Sequence, residues 1–380
     1  MDTVKHYIQD ACEKLVVWKL TQLAQHDKLA INNDSQQKKR EYEKYCDERS
    51  LIAEGKGKTK GFRTYLDIFT FHVPQFYKEL KENYPCCKFD FIDVEAQYRN
   101  EKKKGDFVIK VVGEQEAELS FSLKAYGGAG GISQPQLCSG TFNSFVNNFL
   151  FESAGVGTFV SRENKIFPGK RGIVRDNEII KLGKEKILPL VHRLDDIQIA
   201  LKQKYAKDPR YAWWSDKIGE EWVNDCREWG HLGADLIYEI LGHFTNDQIK
   251  NRIIEMIGFD ATEEMFFMDK KKMVNSLTNS RLKDLRSAVV DKKTTIKYYR
   301  HEKNLKFDFV DSLGTTILAV NIPFTLNRNG AFHLPEGHKR PRYSKTDKMV
   351  VEYGQRRPKK SQQITTSINT YTDFAAAGIV

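Results

Sequence analysis

The sequence predicts a mixed α/β (α+β) fold, in which helices pack on a sheet. Three features support this prediction. Most of the first 84 residues have helical apolar spacing, residues 105–124 alternate between apolar and polar as strands do, and the chain beyond Lys292 is rich in β-forming segments. The resulting order of helix, strand, strand, glycine loop and helix is typical of helices layered on a mixed sheet.

The helical part begins close to the first residue. Residues 3 to about 50 contain no proline or glycine, and their apolar spacing predicts one or two helices. Residues 63–84 predict another helix. After the glycine-rich stretch and Pro135 we expect a further helix, whose buried side would include Cys138, Phe142 and Phe149.

Three consecutive regions follow from these patterns. Residues 1–180 would form a core with N-terminal helices, residues 181–290 a helical region, and residues 291–380 a β-rich basic region. The last region would bind a nucleic acid or recognise its bases, because residues 336–360 contain nine Lys/Arg and only three acidic residues.

Composition points to a polyanionic partner inside the cell. The chain has 61 Lys+Arg against 51 Asp+Glu, a net charge of +10, which favours nucleic acid. Its six cysteines show no zinc-type spacing and are typical of reduced thiols. There is no apolar run long enough to span a bilayer, so we expect a cytoplasmic protein with no membrane contact.

The stretch "GDFVIKVVGEQEAELSFSLKAYGG" (105–128) predicts a hairpin with one apolar and one polar face. Its odd-numbered positions, such as Phe107 and Phe121, would face the core. If Gly113 opposes Ala117 across the turn, Asp106 faces Lys124 directly. Such a pair has two interpretations: a simple cross-strand ion pair, or part of a catalytic site.

The catalytic interpretation rests on the chemistry of phosphodiester hydrolysis. Carboxylates hold Mg²⁺, which prefers oxygen ligands, and the metal neutralises the phosphate and acidifies a bound water. A lysine then positions or deprotonates that water, or stabilises the developing charge. Asp106 and Lys124, with a glutamate from a helix upstream, have the residue types that this chemistry needs.

"GDFVIKV" and "SFSLK" together resemble the active-site hairpin of the PD-(D/E)xK nuclease superfamily. The continuation "LKAYGG…QPQLCSGTFNSFVNNFLFE" is similar to type II restriction endonucleases, the HaeIII-type group among them. The resemblance covers about residues 90–155. It implies a restriction-endonuclease-like mixed sheet flanked by helices, with Asp106 as metal ligand and Lys124 as catalytic lysine.

One position departs from the family pattern. Ser122 stands where an acid is expected among the catalytic residues, and serine is a poor Mg²⁺ ligand. The missing carboxylate must come from elsewhere. Glu95 is the first candidate, because an upstream helix often carries a glutamate in this superfamily, and Glu152 is the second.

Contacts to DNA are predicted at three places. Lys102, Lys103 and Lys104 precede Asp106 and would touch backbone phosphates, although a solvated charge run explains them equally well. Gln134 and Gln136 follow the glycine loop and would reach bases or phosphates, or are simply polar loop residues. The basic C-terminal stretch contributes Arg356, Arg357, Lys359 and Lys360.

The function predicted from these residues is Mg²⁺-dependent cleavage of double-stranded DNA by a homodimeric type II restriction endonuclease. A cognate DNA methyltransferase would belong to the same system without binding the chain. Two alternatives stay open. One is another nuclease of the superfamily, such as a junction resolvase or a modification-dependent or phage-defence nuclease. The other is a non-catalytic DNA-binding protein in which Asp106 and Lys124 form an ion pair.

Overall fold

The computed structural model describes residues 7–54, 59–94, 105–127, 131–140, 216–260, 263–329, 339–343, 349–353 and 363–380, with isolated helical positions between 185 and 200. Within them the chain has an α+β architecture, which confirms the predicted class. Contacts divide the chain into two units, each assembled from separate segments. The first unit comprises residues 1–135, 260–289 and 373–380, and the second comprises residues 136–259 and 290–372.

The helices precede, separate and flank the strands. Their bounds are α1 (Tyr7–His26), α2 (Ser35–Glu54), α3 (Thr59–Asn83), α4 (Asp216–Leu241), α5 (Asn246–Ile257) and α6 (Ser280–Val290). The first two confirm the helices predicted before residue 50, and α3 confirms the helix predicted over residues 63–84.

Twelve strands lie in the described residues and form two five-stranded sheets and one two-stranded hairpin. Their bounds are β1 (Lys88–Asp93), β2 (Phe107–Val112), β3 (Ala117–Tyr126), β4 (Gln136–Gly140), β5 (Glu264–Asp269), β6 (Met273–Asn275), β7 (Thr295–His301), β8 (Asn304–Val310), β9 (Thr316–Asn329), β10 (Lys339–Tyr343), β11 (Met349–Tyr353) and β12 (Gln363–Thr372).

The first unit is built on a mixed sheet in the order β1-β2-β3-β5-β6. Its first three strands form an antiparallel meander, β5 runs parallel to β3, and β6 returns antiparallel to β5. Helices α1 and α3 cover one face with their apolar sides. Phe76 of α3 lies at the centre of this core, with its ring stacked on Phe266 of β5 at 4.4 Å.

The second unit is built on an antiparallel sheet in the order β4-β12-β9-β8-β7. Helix α4 packs along β9, and Gly230 permits this approach, because a Cβ there would lie 2.8 Å from the Phe324 carbonyl oxygen. Helix α5 begins with a capping box at Thr245 and ends at Gly258, whose left-handed conformation closes the helix. These helices cover only one face of the sheet in the described residues.

Two predicted elements need correction. The residues directly after Pro135 form strand β4 and not a helix, so Cys138 lies in a sheet, while residues 142 and 149 lie outside the described residues. The predicted helical region 181–290 does contain α4, α5 and α6, but it also supplies β5 and β6 to the first sheet. The three-region division stays a prediction, because its boundary at residue 180 lies outside the described residues.

Among the described helices, none combines the length and the apolar character that crossing a membrane requires.

Candidate functional site

The β2–β3 hairpin has the two unlike faces that its alternation predicts. Phe107, Ile109 and Phe121 are fully buried on one face. The Phe107 and Phe121 rings stack at 5.1 Å, and Phe76 of α3 meets the Phe121 ring edge-on at 5.3 Å. This aromatic packing fixes which side of the hairpin faces the core, and therefore leaves the even-numbered positions on the other face.

The register of the hairpin differs from the predicted one by two residues. Val111, and not Gly113, opposes Ala117, and the pairing ends at Phe107 opposite Phe121; the same register continued by one residue would place Asp106 opposite Ser122. The direct opposition of Asp106 and Lys124 was therefore wrong. Gly113 is not paired with β3, because it packs against the turn before β1. A Cβ on Gly113 would lie 3.0 Å from both the Cys86 carbonyl oxygen and the Cys87 Cα. The shift is even-numbered, so the face of every side chain is unchanged.

Asp106 is held at the start of β2 by the backbone of β3. Its N–H donates to the Phe121 carbonyl oxygen at 2.6 Å, and its Oδ2 accepts a hydrogen bond from the Leu123 N–H, also at 2.6 Å. A charge-assisted bond of this kind fixes the orientation of the carboxylate. The half-buried Asp106 side chain is therefore preorganised before any ligand binds.

Gly105, the residue before Asp106, packs very close to Ser120 of β3. A Cβ at this position would lie 1.9 Å from Ser120 Oγ and 3.2 Å from Ser120 Cβ, so a side chain cannot be accommodated without movement. Gly105 is itself buried. The glycine before Asp106 is thus required by packing, and the packing in turn sets the position of the aspartate.

Lys124 lies on the same face as Asp106, two residues along β3 from Ser122, the position that this register places opposite Asp106. Such diagonal positions on neighbouring strands are roughly 7–8 Å apart, against about 4.5–5.5 Å for a directly opposed pair. Lys124 is half-buried, and on its other side it aligns with the buried Phe267 of β5. In the described part of the chain it forms no ion pair.

Ser122 completes the row but brings no charge. Its neighbours across the sheet are Asp106 on β2 and Met265 on β5, so neither adjacent strand supplies a second carboxylate at this level. No cluster of three or more His, Cys, Asp or Glu suitable for a metal occurs among the described residues. Asp106 and Ser122 are the oxygen donors that the open end of the hairpin offers.

Several predicted site residues lie outside the described residues, and their roles stay predictions. They are Glu95, Lys102, Lys103, Lys104, Glu152, Arg356, Arg357, Lys359 and Lys360. Gln134 is exposed in the loop before β4. Gln136 begins β4 and belongs to the second unit, so the two glutamines fall in different units of the chain.

A residue that the sequence reading missed anchors the loop after Lys124. Asp269, at the end of β5, accepts hydrogen bonds from the Ile132 N–H through Oδ2 and from the Lys271 and Lys272 N–H groups through Oδ1. Burial acts to raise its pKa, but these three backbone donors outweigh it and hold the pKa of Asp269 below its usual value. The sequence feature that could have identified Asp269 is an aspartate directly before "KKK", a typical turn-forming pattern.

A second group of lysines and carboxylates lies at the edge of the first sheet. Lys14 of α1 pairs with Asp93 of β1, and Lys38 of α2 donates to the Phe91 carbonyl oxygen at 2.8 Å and lies 3.5 Å from Asp90. Burial acts to lower the Lys14 pKa, but the hydrogen bond to Asp93 and the negative charges of Asp93 and Glu41 together outweigh it and raise the pKa. The residues line a cleft of about 230 Å³. Both lysines are already paired here, which indicates that they hold α1 and α2 against β1.

Comparison with known proteins gives no relative. No family model, no curated protein and no solved structure matches the chain.

Proposed function

We propose that the chain is a Mg²⁺-dependent endonuclease that hydrolyses phosphodiester bonds of double-stranded DNA through its β2–β3 hairpin. One observation carries the proposal: the preorganised Asp106 and Lys124, which forms no ion pair within the described residues, share one face of neighbouring chain segments at an offset of two residues. A fixed carboxylate and an ammonium near it are suited to act on a third group between them.

The diagonal geometry supports this function better than the direct opposition predicted from sequence. A directly opposed Asp and Lys would close into an ion pair. A separation of roughly 7–8 Å leaves room for a phosphate oxygen or a water between the two side chains. Asp106 would hold the metal through the oxygen not directed at Leu123, and Lys124 would orient the attacking water or stabilise charge on the scissile phosphate.

The donor set meets the minimum requirement for magnesium. Mg²⁺ is commonly held by one or two carboxylates, with waters and substrate phosphate oxygens filling the remaining positions. Asp106 supplies one carboxylate, the Ser122 hydroxyl is adjacent to it, and Glu95 or Glu152 would supply a second. When bound, the ion would acidify a water and neutralise the phosphate.

The finer assignments belong to the same proposal. The mixed sheet of the first unit, with helices on one face, agrees with a restriction-endonuclease-like core. The net charge of +10 favours a polyanionic substrate. A type II restriction enzyme would act as a homodimer, because two-fold symmetry places one hairpin on each strand of a palindromic site. A cytoplasmic location and a cognate methyltransferase would accompany this role.

One observation favours a second candidate, a DNA-binding protein without catalytic activity. Ser122 replaces the acid that the family pattern requires, and no other carboxylate lies in its row of the sheet among the described residues. A site with a single carboxylate holds its metal weakly. The hairpin would then be a remnant whose charges contribute only to folding.

Plasmid cleavage separates the two candidates. Supercoiled DNA is incubated with the full chain in Mg²⁺, in EDTA, and in Mg²⁺ with the Asp106→Asn variant. Asparagine keeps an oxygen that accepts from the Leu123 N–H but loses the charge that binds metal. We expect discrete linear products from the unchanged chain in Mg²⁺ and none in EDTA. The Asp106→Asn variant should cleave at a rate at least about 10³-fold lower. Binding without cleavage under all three conditions would favour the non-catalytic candidate.

A further inference from the structure

The second sheet carries one continuous row of polar and aromatic side chains across all five strands. The register aligns Tyr299 of β7 with Lys306 of β8, Lys306 with Asn321 of β9, Asn321 with Tyr371 of β12, and Tyr371 with Gln136 of β4. We call these five residues the polar row. Neighbouring strands are about 4.8 Å apart, so the row spans about 19 Å.

The polar row lies on the face that the helices of the second unit leave open. The residues before and after it along each strand, such as Phe307, Val320 and Ile322, are buried on the opposite face with α4. Tyr299 is 40% exposed, and the other four members are half-buried, as expected for side chains lying flat on a sheet. The row is therefore accessible in the described part of the unit.

The charges around the row favour an anionic ligand. Among the described residues of this face, Lys306 lies in the row itself, and Lys297 on β7 directly opposes Asp308 on β8. Burial and the nearby Asp308 carboxylate raise the pKa of Tyr299. The Asn321 Oδ1 is buried and has no hydrogen-bond partner within the described residues.

We propose that the polar row binds unpaired bases of single-stranded nucleic acid. Tyr299 and Tyr371 stand three strand spacings apart, about 14 Å, and each offers a ring on which one base stacks. Lys306, between the two tyrosines, contacts the phosphate that joins the bases.

An unpaired strand fits this face better than a duplex does. Bases of a duplex are stacked on each other and present only their edges in the grooves, so a flat row of rings has no surface to stack on. Splayed bases of a single strand expose both faces, and sheets with aromatic side chains bind them in this way. The proposal does not rest on the nuclease activity, because it concerns the other unit and a binding reaction without metal.

Fluorescence anisotropy in EDTA tests the proposal with the full chain. The probes are a labelled oligothymidylate of about 12 nucleotides and its duplex with oligoadenylate. We expect tighter binding of the single strand, and a loss of at least about tenfold for Tyr299→Ala and for Tyr371→Ala. Tyr299→Phe and Tyr371→Phe keep the ring and should bind within about twofold of the unchanged chain. Lys306→Ala should reduce the salt dependence by about one phosphate contact.

Tyr238 provides the matched control. It is an equally exposed tyrosine of the second unit, at 44%, but it lies on α4 and outside the polar row. Tyr238→Ala should leave affinity unchanged. The proposal fails if the two row variants bind normally, if Tyr238→Ala weakens binding as much as they do, or if the duplex binds as tightly as the single strand. Should Tyr371→Ala unfold in a melting test, the exposed Tyr299 decides the outcome alone.

Discussion

The β2–β3 hairpin carries a lysine and a carboxylate on the same face at each of its two ends, in different arrangements. Near the turn, Lys110 directly opposes Glu118. At the open end, Lys124 is displaced by two residues from the position opposite Asp106, and the backbone of β3 holds the aspartate. Charges that oppose each other directly across two strands lie closer together than charges that are displaced along them. The difference suggests that the turn end serves folding and the open end serves chemistry.

The largest expected effect is a difference in cleavage rate between variants of Lys124 and Lys110, the two lysines of this face. Lys124→Ala should lower the plasmid cleavage rate by about 10²- to 10³-fold, because it removes a positive charge from the reacting phosphate. Lys110→Ala, the matched control, should leave the rate within about twofold and each variant's stability within about 1 kcal/mol of the unchanged chain. Single-turnover cleavage and thermal melting measure both quantities. Equal rates for the two variants would remove the distinction between the ends.

A smaller effect is expected at Gly105, which positions Asp106 without touching substrate. Gly105→Ala places a methyl group against Ser120 Oγ, so the aspartate should shift and cleavage should fall by about tenfold, with about 1–3 kcal/mol lost in stability. The double variant Gly105→Ala, Ser120→Ala removes the closest atom and should recover part of both losses. No recovery in the double variant would mean that the glycine matters for another reason.

The smallest effect comes from converting the open end into a copy of the turn end. The double variant Ser122→Lys, Lys124→Ser places the ammonium directly opposite Asp106. It should be as inactive as Lys124→Ser alone, but about 0.2–1 kcal/mol more stable than that single variant, because the new pair is directly opposed. Denaturant melting and plasmid cleavage measure the two quantities. Cleavage restored by the swap would show that the displaced arrangement is not what the activity needs.

The faces of the strands were predictable, but their register was not. Alternation along residues 107–111 and 119–123 depends only on local sequence, and the buried and open sides followed it. The register depended on Gly113 packing against Cys86 and Cys87, a contact between segments that are distant in sequence. When the turn of a hairpin packs against another part of the chain, the register of that hairpin cannot be predicted from its own residues.

Burial on both faces explains the missed strand β5. "EMFFMD" has four consecutive buried residues, and such a run lacks the alternation that would distinguish a strand from a helix. The polar row was missed for a different reason. Alternation in "LKFDFV" places Lys306 on the polar side, but its alignment with Tyr371 and Gln136 joins segments far apart in the sequence.

The parallel pairing of β3 with β5 has a consequence for how the protein is made. About 140 residues separate the two strands, and residues 136–259 between them belong to the second unit. During synthesis, β3 would therefore emerge as an uncovered strand edge and wait for its partner. Long-range pairing of this kind slows folding, and an open edge invites association with other nascent chains. The yield of active protein would then depend on how well that edge is protected during synthesis.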